Sequence, residues 1–246
     1  MVKMIIKTRG IVFGTRKYGE TSLIVDIYTE ERGLQSYIVN GVRSKKARVS
    51  SSLLQLLSLV EMVAYARDDR SLHRVREIKA AHVYHSIPFD LRKGAVGLFI
   101  VEVARKAIRE VEENRPLFDF LYAFLRYLDD TPEPVVNAHL HFLCRLSTYL
   151  GFQPMGEARA QTPYFDLQEG QFVSDPPAHP HYLGEEMSRL VDGFLQSSAE
   201  ECARIALTRD MRKLLVRHLL DFYRLHLEHF PEIRSHKILE EVLERH

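Results

Sequence analysis

Ser22-Leu23-Ile24-Val25-Asp26-Ile27-Tyr28, followed by Thr29-Glu30-Glu31-Arg32-Gly33 and Leu34-Gln35-Ser36-Tyr37-Ile38-Val39, decides the fold. Successive side chains of an extended strand point to opposite faces. Leu23, Val25 and Ile27 therefore share one face, and Ile24, Asp26 and Tyr28 the other. Glu30 to Gly33 supplies the turn, and Leu34 to Val39 returns as the second strand of an antiparallel pair.

Outward from this hairpin, the apolar residues keep short strand spacings from Lys7 to Ala81, with further turns at Lys17-Tyr18-Gly19 and Arg67-Asp68-Asp69-Arg70. Leu59 to Ala66 and Leu72 to Ala80 read as another hairpin, and Gly41 to Ser52 as an exposed loop of charged and small residues. Five short antiparallel strands with no room for a helical crossover predict a small closed barrel of OB type, because closure removes exposed sheet edges. Residues 1–82 are thus expected to be an OB-fold nucleic-acid-binding domain.

After Pro88 the period becomes helical. Val96, Phe99, Ile100, Val103, Ala107, Ile108 and Val111 form one stripe, Leu117, Leu121, Phe124, Leu125 and Leu128 a second, and Val136 to Leu150 a third that Gly151 ends. Residues 152–183 interrupt the helices with a small β-hairpin at Tyr164 to Val173, turning at Glu169-Gly170. Thr208 is placed to cap a helix with Met211, Leu214, Leu215, Phe222 and Leu225 inward, and a last helix runs from Ser235 to Glu244. The expected class is α+β, with an α-helical domain over 83–246.

Lys plus Arg number 34 against 33 Asp plus Glu, but the charges are unevenly placed. Residues 1–80 hold 15 cations and 8 anions, leaving the rest of the chain net acidic. Cys144 and Cys202 are the only cysteines, too few for a disulfide framework or a four-cysteine zinc site. No stretch approaches the roughly 18 apolar residues of a membrane span, and the expected location is the cytoplasm, on the nucleoid.

Enzyme signatures are absent from the sequence: no Gly-rich phosphate loop, dinucleotide fingerprint, paired-histidine zinc motif or nucleophile elbow. The chain is expected not to be an enzyme and to need no cofactor. The close pairs His82/His85, His139/His141, His179/His181 and His226/His229 have no Cys, Asp or Glu beside them at ligand spacing, so no metal site is expected.

The basic half carries the functional signal. Lys7, Arg9, Arg16 and Lys17 lie near the first strand, Arg43, Lys45, Lys46 and Arg48 in the loop, and Arg74 and Arg76 in the last hairpin, where a two-residue step puts both on one face. Tyr18, Tyr28, Tyr37 and Tyr65 offer rings. Cations that follow a phosphate backbone and rings that stack on bases are what single-stranded nucleic acid requires.

Thr8-Arg9-Gly10-Ile11-Val12, Lys17-Tyr18-Gly19-Glu20-Thr21-Ser22-Leu23-Ile24-Val25, Tyr28-Thr29-Glu30-Glu31-Arg32-Gly33 and Asn40-Gly41-Val42-Arg43-Ser44-Lys45-Lys46 together resemble the bacterial RecO recombination-mediator family. The resemblance continues through Leu53 to Glu61 and, more loosely, to Ser235-His236-Lys237-Ile238-Leu239. It implies binding of single- and double-stranded DNA, annealing of complementary strands, and work with RecR and single-stranded-DNA-binding protein in loading RecA.

Many members of that family carry two C-x-x-C pairs that hold structural zinc around the hairpin, and this chain lacks them. Packing of Tyr164, Phe165 and Phe172 is expected in their place. DNA contacts are expected from Lys7, Arg9, Arg16, Lys17, Arg43, Lys45, Lys46, Arg48, Arg74 and Arg76, with Tyr28 and Tyr37 as stacking candidates. The acidic tail of single-stranded-DNA-binding protein needs an apolar pocket rimmed by cations, for which Arg204, Arg209, Arg212, Lys213 and Arg217 are available. The competing reading is a scaffold that touches DNA only through a partner.

Overall fold

A computed structural model describes residues 4–42, 49–66, 71–108 and 112–244. Strands β1 (Met4–Tyr18), β2 (Ser22–Thr29), β3 (Gly33–Val39), β4 (Leu59–Ala66) and β5 (Leu72–His82) close into a barrel of order β1-β2-β3-β5-β4. Four of the five pairings are antiparallel, as the hairpin reading requires. The β3–β5 pairing is parallel, because each of these strands is two antiparallel steps away from β1, one through β2 and the other through β4.

The long first strand serves two neighbours. Met4 to Ile11 pairs with β4, and Gly10 to Tyr18 pairs with β2. Both sheets pass through Gly10, where a Cβ would stand 2.5 Å from Ile27 Cγ2, so the crossing tolerates no side chain. Val25, Ile27, Tyr37, Val39, Val60 and Met62 fill the interior.

Ile24 and Tyr28, on the other face of β2, are buried as well. Phe13, the extra residue of a register shift between Val12 and Gly14, stacks on Tyr28 at 5.6 Å. Helix α2 (Arg115–Asp130) covers both rings, with Phe118 placed 6.1 Å from Tyr28. Burying rings of this size contributes roughly 2–3 kcal/mol each.

The chain separates into two compact units: residues 1–89 with 108–130, and residues 90–107 with 131–246. In space α2 thus groups with the barrel. The division drawn from periodicity at 82/83 assigns it to the helical part, because an apolar stripe reports which face is buried and not what covers it.

The second unit contains α1 (Leu91–Ala107), α3 (Ala138–Tyr149), α4 (Glu185–Gln196), α5 (Ala199–Ala203), α6 (Arg209–His226) and α7 (Ser235–Glu244). Helix α1 begins three residues after Pro88, with the Asp90 carboxylate accepting from the backbone N–H groups of Arg92 and Lys93. Thr208 caps α6 as expected, accepting from Met211 N. The buried face of α6 is Leu215, Val216, Leu219, Leu220, Phe222 and Tyr223, whereas Leu214 and Leu225 are exposed, so the face is rotated from the expected one.

The insertion has β6 (Tyr164–Asp166), β7 (Gln171–Val173) and a third strand, β8 (Tyr182–Leu183), which extends the expected hairpin into a three-stranded sheet. Phe165 sits 4.8 Å from Phe172 and 5.6 Å from Phe222 of α6, and these rings hold the sheet to the helices. Gly170, at φ 69°, makes the β6–β7 turn directly against Phe222 and His226. Tyr164 packs edge-on against Tyr182 of the new strand.

Helix α7 is tied to α1 by Glu102, which accepts from Lys106 Nζ and from the backbone N–H groups of Arg234 and Ser235 at the start of α7. Burial opposes ionisation of this carboxyl, but the hydrogen bonds win and hold it at about 2. Because the folded value lies below the ordinary one, this stabilisation is complete above about pH 4.5 and lost as pH falls toward about 2. Glu102→Gln is expected to cost about 1–2 kcal/mol at neutral pH and to make the urea midpoint less sensitive to acidification across that window.

Candidate nucleic-acid interface

The barrel registers bring distant residues into one row. Arg16 is opposite Ile24, Ile24 opposite Ile38, Ile38 opposite Arg74, and Arg74 opposite Tyr65. Directly paired residues point to the same side of a sheet. A buried Ile24 on β2 and a partly exposed Ile38 on β3 therefore lie between two exposed arginines, with a half-exposed tyrosine beyond Arg74.

Hydrogen bonds set the two arginines. Arg16 Nη1 donates to the Asp26 carboxylate at 2.9 and 3.0 Å, and Ser36 Oγ donates to the same carboxylate at 2.6 Å. The remainder of the Arg16 side chain faces solvent at 55% exposure. With its amide oxygen toward Arg74, Asn40 accepts from Nη2 and Nε at 3.0 and 3.1 Å and donates to Ser22 Oγ at 3.1 Å. The row presents cations held on a rigid sheet, with polar Ser22 and Asn40 beside them.

The other expected contacts divide clearly. Lys17 is exposed one residue beyond the row. Lys7 lies in a separate shallow groove on β1, β4 and β5, among Glu61, Glu77 and Lys79. Arg76 is exposed and paired with Glu77 at 3.1 Å. It is the extra residue of a bulge between Val75 and Glu77, so the two-residue step no longer puts it on the face of Arg74. Arg43, Lys45, Lys46 and Arg48 lie outside the described residues.

Three expectations are corrected. Tyr28 and Tyr37 are 1% and 0% exposed, so neither ring is available for stacking. Tyr28 lies beneath α2, and Tyr37 belongs to the barrel interior, where burial pushes its phenol up to about 12. Arg9 is committed inside the unit: Nε and Nη2 donate to Glu30 at 2.8 and 3.0 Å, Nη2 also to Asp119 at 3.1 Å, and its guanidinium carbon lies 4.8 Å from the Tyr122 ring centre. Its hydrogen bond holds the Glu30 carboxyl below the ordinary range.

Arg9 therefore fastens α2 to the barrel. Arg9→Ala is expected to lower stability by about 1–2 kcal/mol, after allowing for partial exposure of the ion pair. It should leave the salt dependence of nucleic-acid binding unchanged in a titration run on the folded variant.

In the second unit, Val216, Leu239 and Leu243 form the apolar part of a pocket between α6 and α7, with Arg209, Arg212 and Lys213 at its edge. Lys213 pairs with Glu240 at 3.1 Å. Arg212 donates from Nε to Asn137 Oδ1 at 3.1 Å, and burial lowers its pKa. Arg204 pairs instead with Glu133 at 2.8 Å, and Arg217 is exposed but does not line the pocket. Three of the five expected cations are thus brought together around one apolar depression.

The histidines behave differently from their sequence reading in one place. His82 and His85 meet Asp129 and Asp130 at the end of α2, a meeting invisible in a sequence that separates the pairs by more than forty residues. His139 is fully buried against Phe99, and burial lowers its pKa to about 3. Cys144 and Cys202 are both buried, and burial pushes the Cys202 thiol up to about 12, away from reactive thiolate.

Two family models match the chain, Recombination protein O N terminal over residues 3–84 and Recombination protein O C terminal over residues 88–235. Relatives named DNA repair protein RecO are similar along almost their whole length. The Bacteroides fragilis protein is 39% identical over 98% of this chain and 100% of its own. The Phocaeicola vulgatus protein is 36% identical over 97% and 99%, and the Christiangramia forsetii protein 34% identical over 97% and 99%. No helix among the described residues is long and apolar enough to cross a membrane.

Proposed function

Because the chain belongs to the recombination protein O family, whose role is DNA repair and recombination, we propose that it binds single- and double-stranded DNA through the barrel row and anneals complementary strands. The observation that carries this reading is the row Arg16, Ile24, Ile38, Arg74 and Tyr65. Lys17 stands exposed beside it, and the loop cations Arg43, Lys45, Lys46 and Arg48 are further phosphate contacts on the reading of the sequence.

Annealing needs no covalent step. A surface that holds two strands weakly raises their local concentration and screens phosphate repulsion, while base pairing supplies specificity. The partly exposed Ile38 and Tyr65 give bases an apolar contact, and the flanking guanidiniums contact phosphates on either side. Neither role calls for a nucleophile, an ATP site or a cofactor.

The pocket of Arg209, Arg212 and Lys213 suits an acidic peptide with an apolar end, such as the tail of single-stranded-DNA-binding protein. With RecR as a further partner, the chain would act on protein-coated single strands and help load RecA in the cytoplasm, on the nucleoid. Arg209→Glu with Lys213→Glu is expected to weaken binding of a fluorescent tail peptide at least about tenfold. Unchanged peptide affinity would remove the pocket from the account.

The test of annealing is a fluorescence-quench assay with two complementary oligonucleotides. The folded protein should raise the rate at substoichiometric amounts without ATP. A rate unchanged from buffer, in protein that also fails to bind DNA at low salt, would favour the scaffold reading.

A further inference from the structure

We propose that His82, Asp129 and Asp130 form a binding site for a zinc-type divalent cation, where the end of β5 meets the C-terminal end of α2. All three residues lie within the barrel unit. The inference rests on their geometry alone and is independent of the DNA-binding reading.

His82 Nε2 is 3.0 Å from Asp129 Oδ2. His85 Nε2 is 3.5 Å from that same oxygen and 3.0 Å from Asp130 Oδ1. One ligand atom from each of His82, Asp129 and Asp130 lies within 4.8 Å of the others. Bonds of roughly 2.0–2.1 Å from zinc to nitrogen or oxygen place neighbouring tetrahedral ligands about 3.3 Å apart. His82 and Asp129 stand close to that edge length, and Asp130 lies within reach of both.

The donor set is chemically suitable. Imidazole nitrogens and carboxylate oxygens are ordinary zinc ligands, and two carboxylates neutralise the charge of the ion. With the ion bound, His82 would present its Nε2 lone pair and carry its proton on Nδ1. Asp130 Oδ2 lies 3.7 Å from Arg126, which assigns Oδ1 to the metal.

The principal carboxylate is already held in place. Asp129 is fully buried, and its Oδ1 accepts from the backbone N–H groups of Ser86 and Ile87 at 2.8 and 2.9 Å. That leaves Oδ2 turned toward His82 and toward His85, whose backbone N–H it also accepts at 3.0 Å. Outer hydrogen bonds of this kind orient a ligand before the metal arrives. His85 and Asp130 are 63% and 48% exposed, which gives the ion a route from solvent.

Zinc here would cross-link the end of β5 to α2.

The experiment uses untagged full-length protein stripped with EDTA. Calorimetry with Zn2+ should give one equivalent bound, and Co2+ should produce visible absorption bands. Asp130→Asn alters an exposed side chain and leaves the Asp129 hydrogen bonds intact. It should keep the metal-free melting temperature, weaken Zn2+ binding more than about tenfold and abolish the Co2+ bands. Wild-type protein without stoichiometric Zn2+ binding overturns the proposal, as does Asp130→Asn binding Zn2+ like wild type, which would put the metal at other residues.

Discussion

Arg16→Ala combined with Arg74→Ala is expected to weaken single-stranded DNA binding at least about tenfold at low salt and to flatten the log–log salt slope by about 1.4, two phosphates at roughly 0.7 each. The two arginines stand on either side of Ile24 and Ile38, and both are exposed, so their loss removes charge from the row without opening the core. Arg16 leaves Asp26 behind, whose carboxylate then faces an incoming phosphate and adds repulsion. The stability cost should be small, under about 1 kcal/mol, because an exposed ion pair contributes little. Lys45→Ala with Lys46→Ala should flatten the slope by a comparable further amount if the loop contributes as the sequence predicts. Arg9→Ala is the internal control, lowering stability while leaving the slope alone.

Asp129→Ala is expected to be the most damaging single substitution in the barrel unit, lowering stability by about 3 kcal/mol or more in metal-free buffer. One buried carboxylate accepts from the backbone N–H groups of His85, Ser86 and Ile87, and from His82. Alanine would remove the acceptor that these three backbone donors share. Burial opposes ionisation of Asp129, but these bonds outweigh it and hold the carboxyl well below the ordinary range. A folded-state pKa below the unfolded one means the stabilisation is present at neutral pH and is lost only in strong acid. Urea denaturation followed by circular dichroism measures the loss. A midpoint close to wild type would show that the turn is held by something other than this carboxylate.

The barrel was legible because each strand announces itself locally. The alternation of Leu23, Val25 and Ile27, the turn at Glu30 to Gly33 and the β4 span from Leu59 to Ala66 all follow from side-chain period and turn chemistry. The Thr208 cap and the α7 span are local too. What failed to show were relations across long separations. Tyr28 alternates like a surface residue, yet Phe118, ninety positions later, covers it. Arg9 looks like a phosphate contact until Glu30 and Asp119 are placed around it.

The same distinction governs the candidate sites. The cations were visible as a charge imbalance, but only the register selects Arg16 and Arg74 as partners in the row and adds Ile24 and Ile38 to it. A bulge at Arg76 has no reliable local signature, and it moved that residue out of the expected alternation. His82 and His85 carried no nearby carboxylate in the sequence because both carboxylates arrive with α2.

Fluorescence anisotropy of the folded protein with a labelled single strand, repeated across a salt series, tests the central claim most directly. Binding at low salt should fall steeply as salt rises, with a slope made measurably shallower by Arg16→Ala and Arg74→Ala and unaffected by Arg9→Ala. Absence of binding at low salt, or a slope that ignores both row arginines, would contradict that claim.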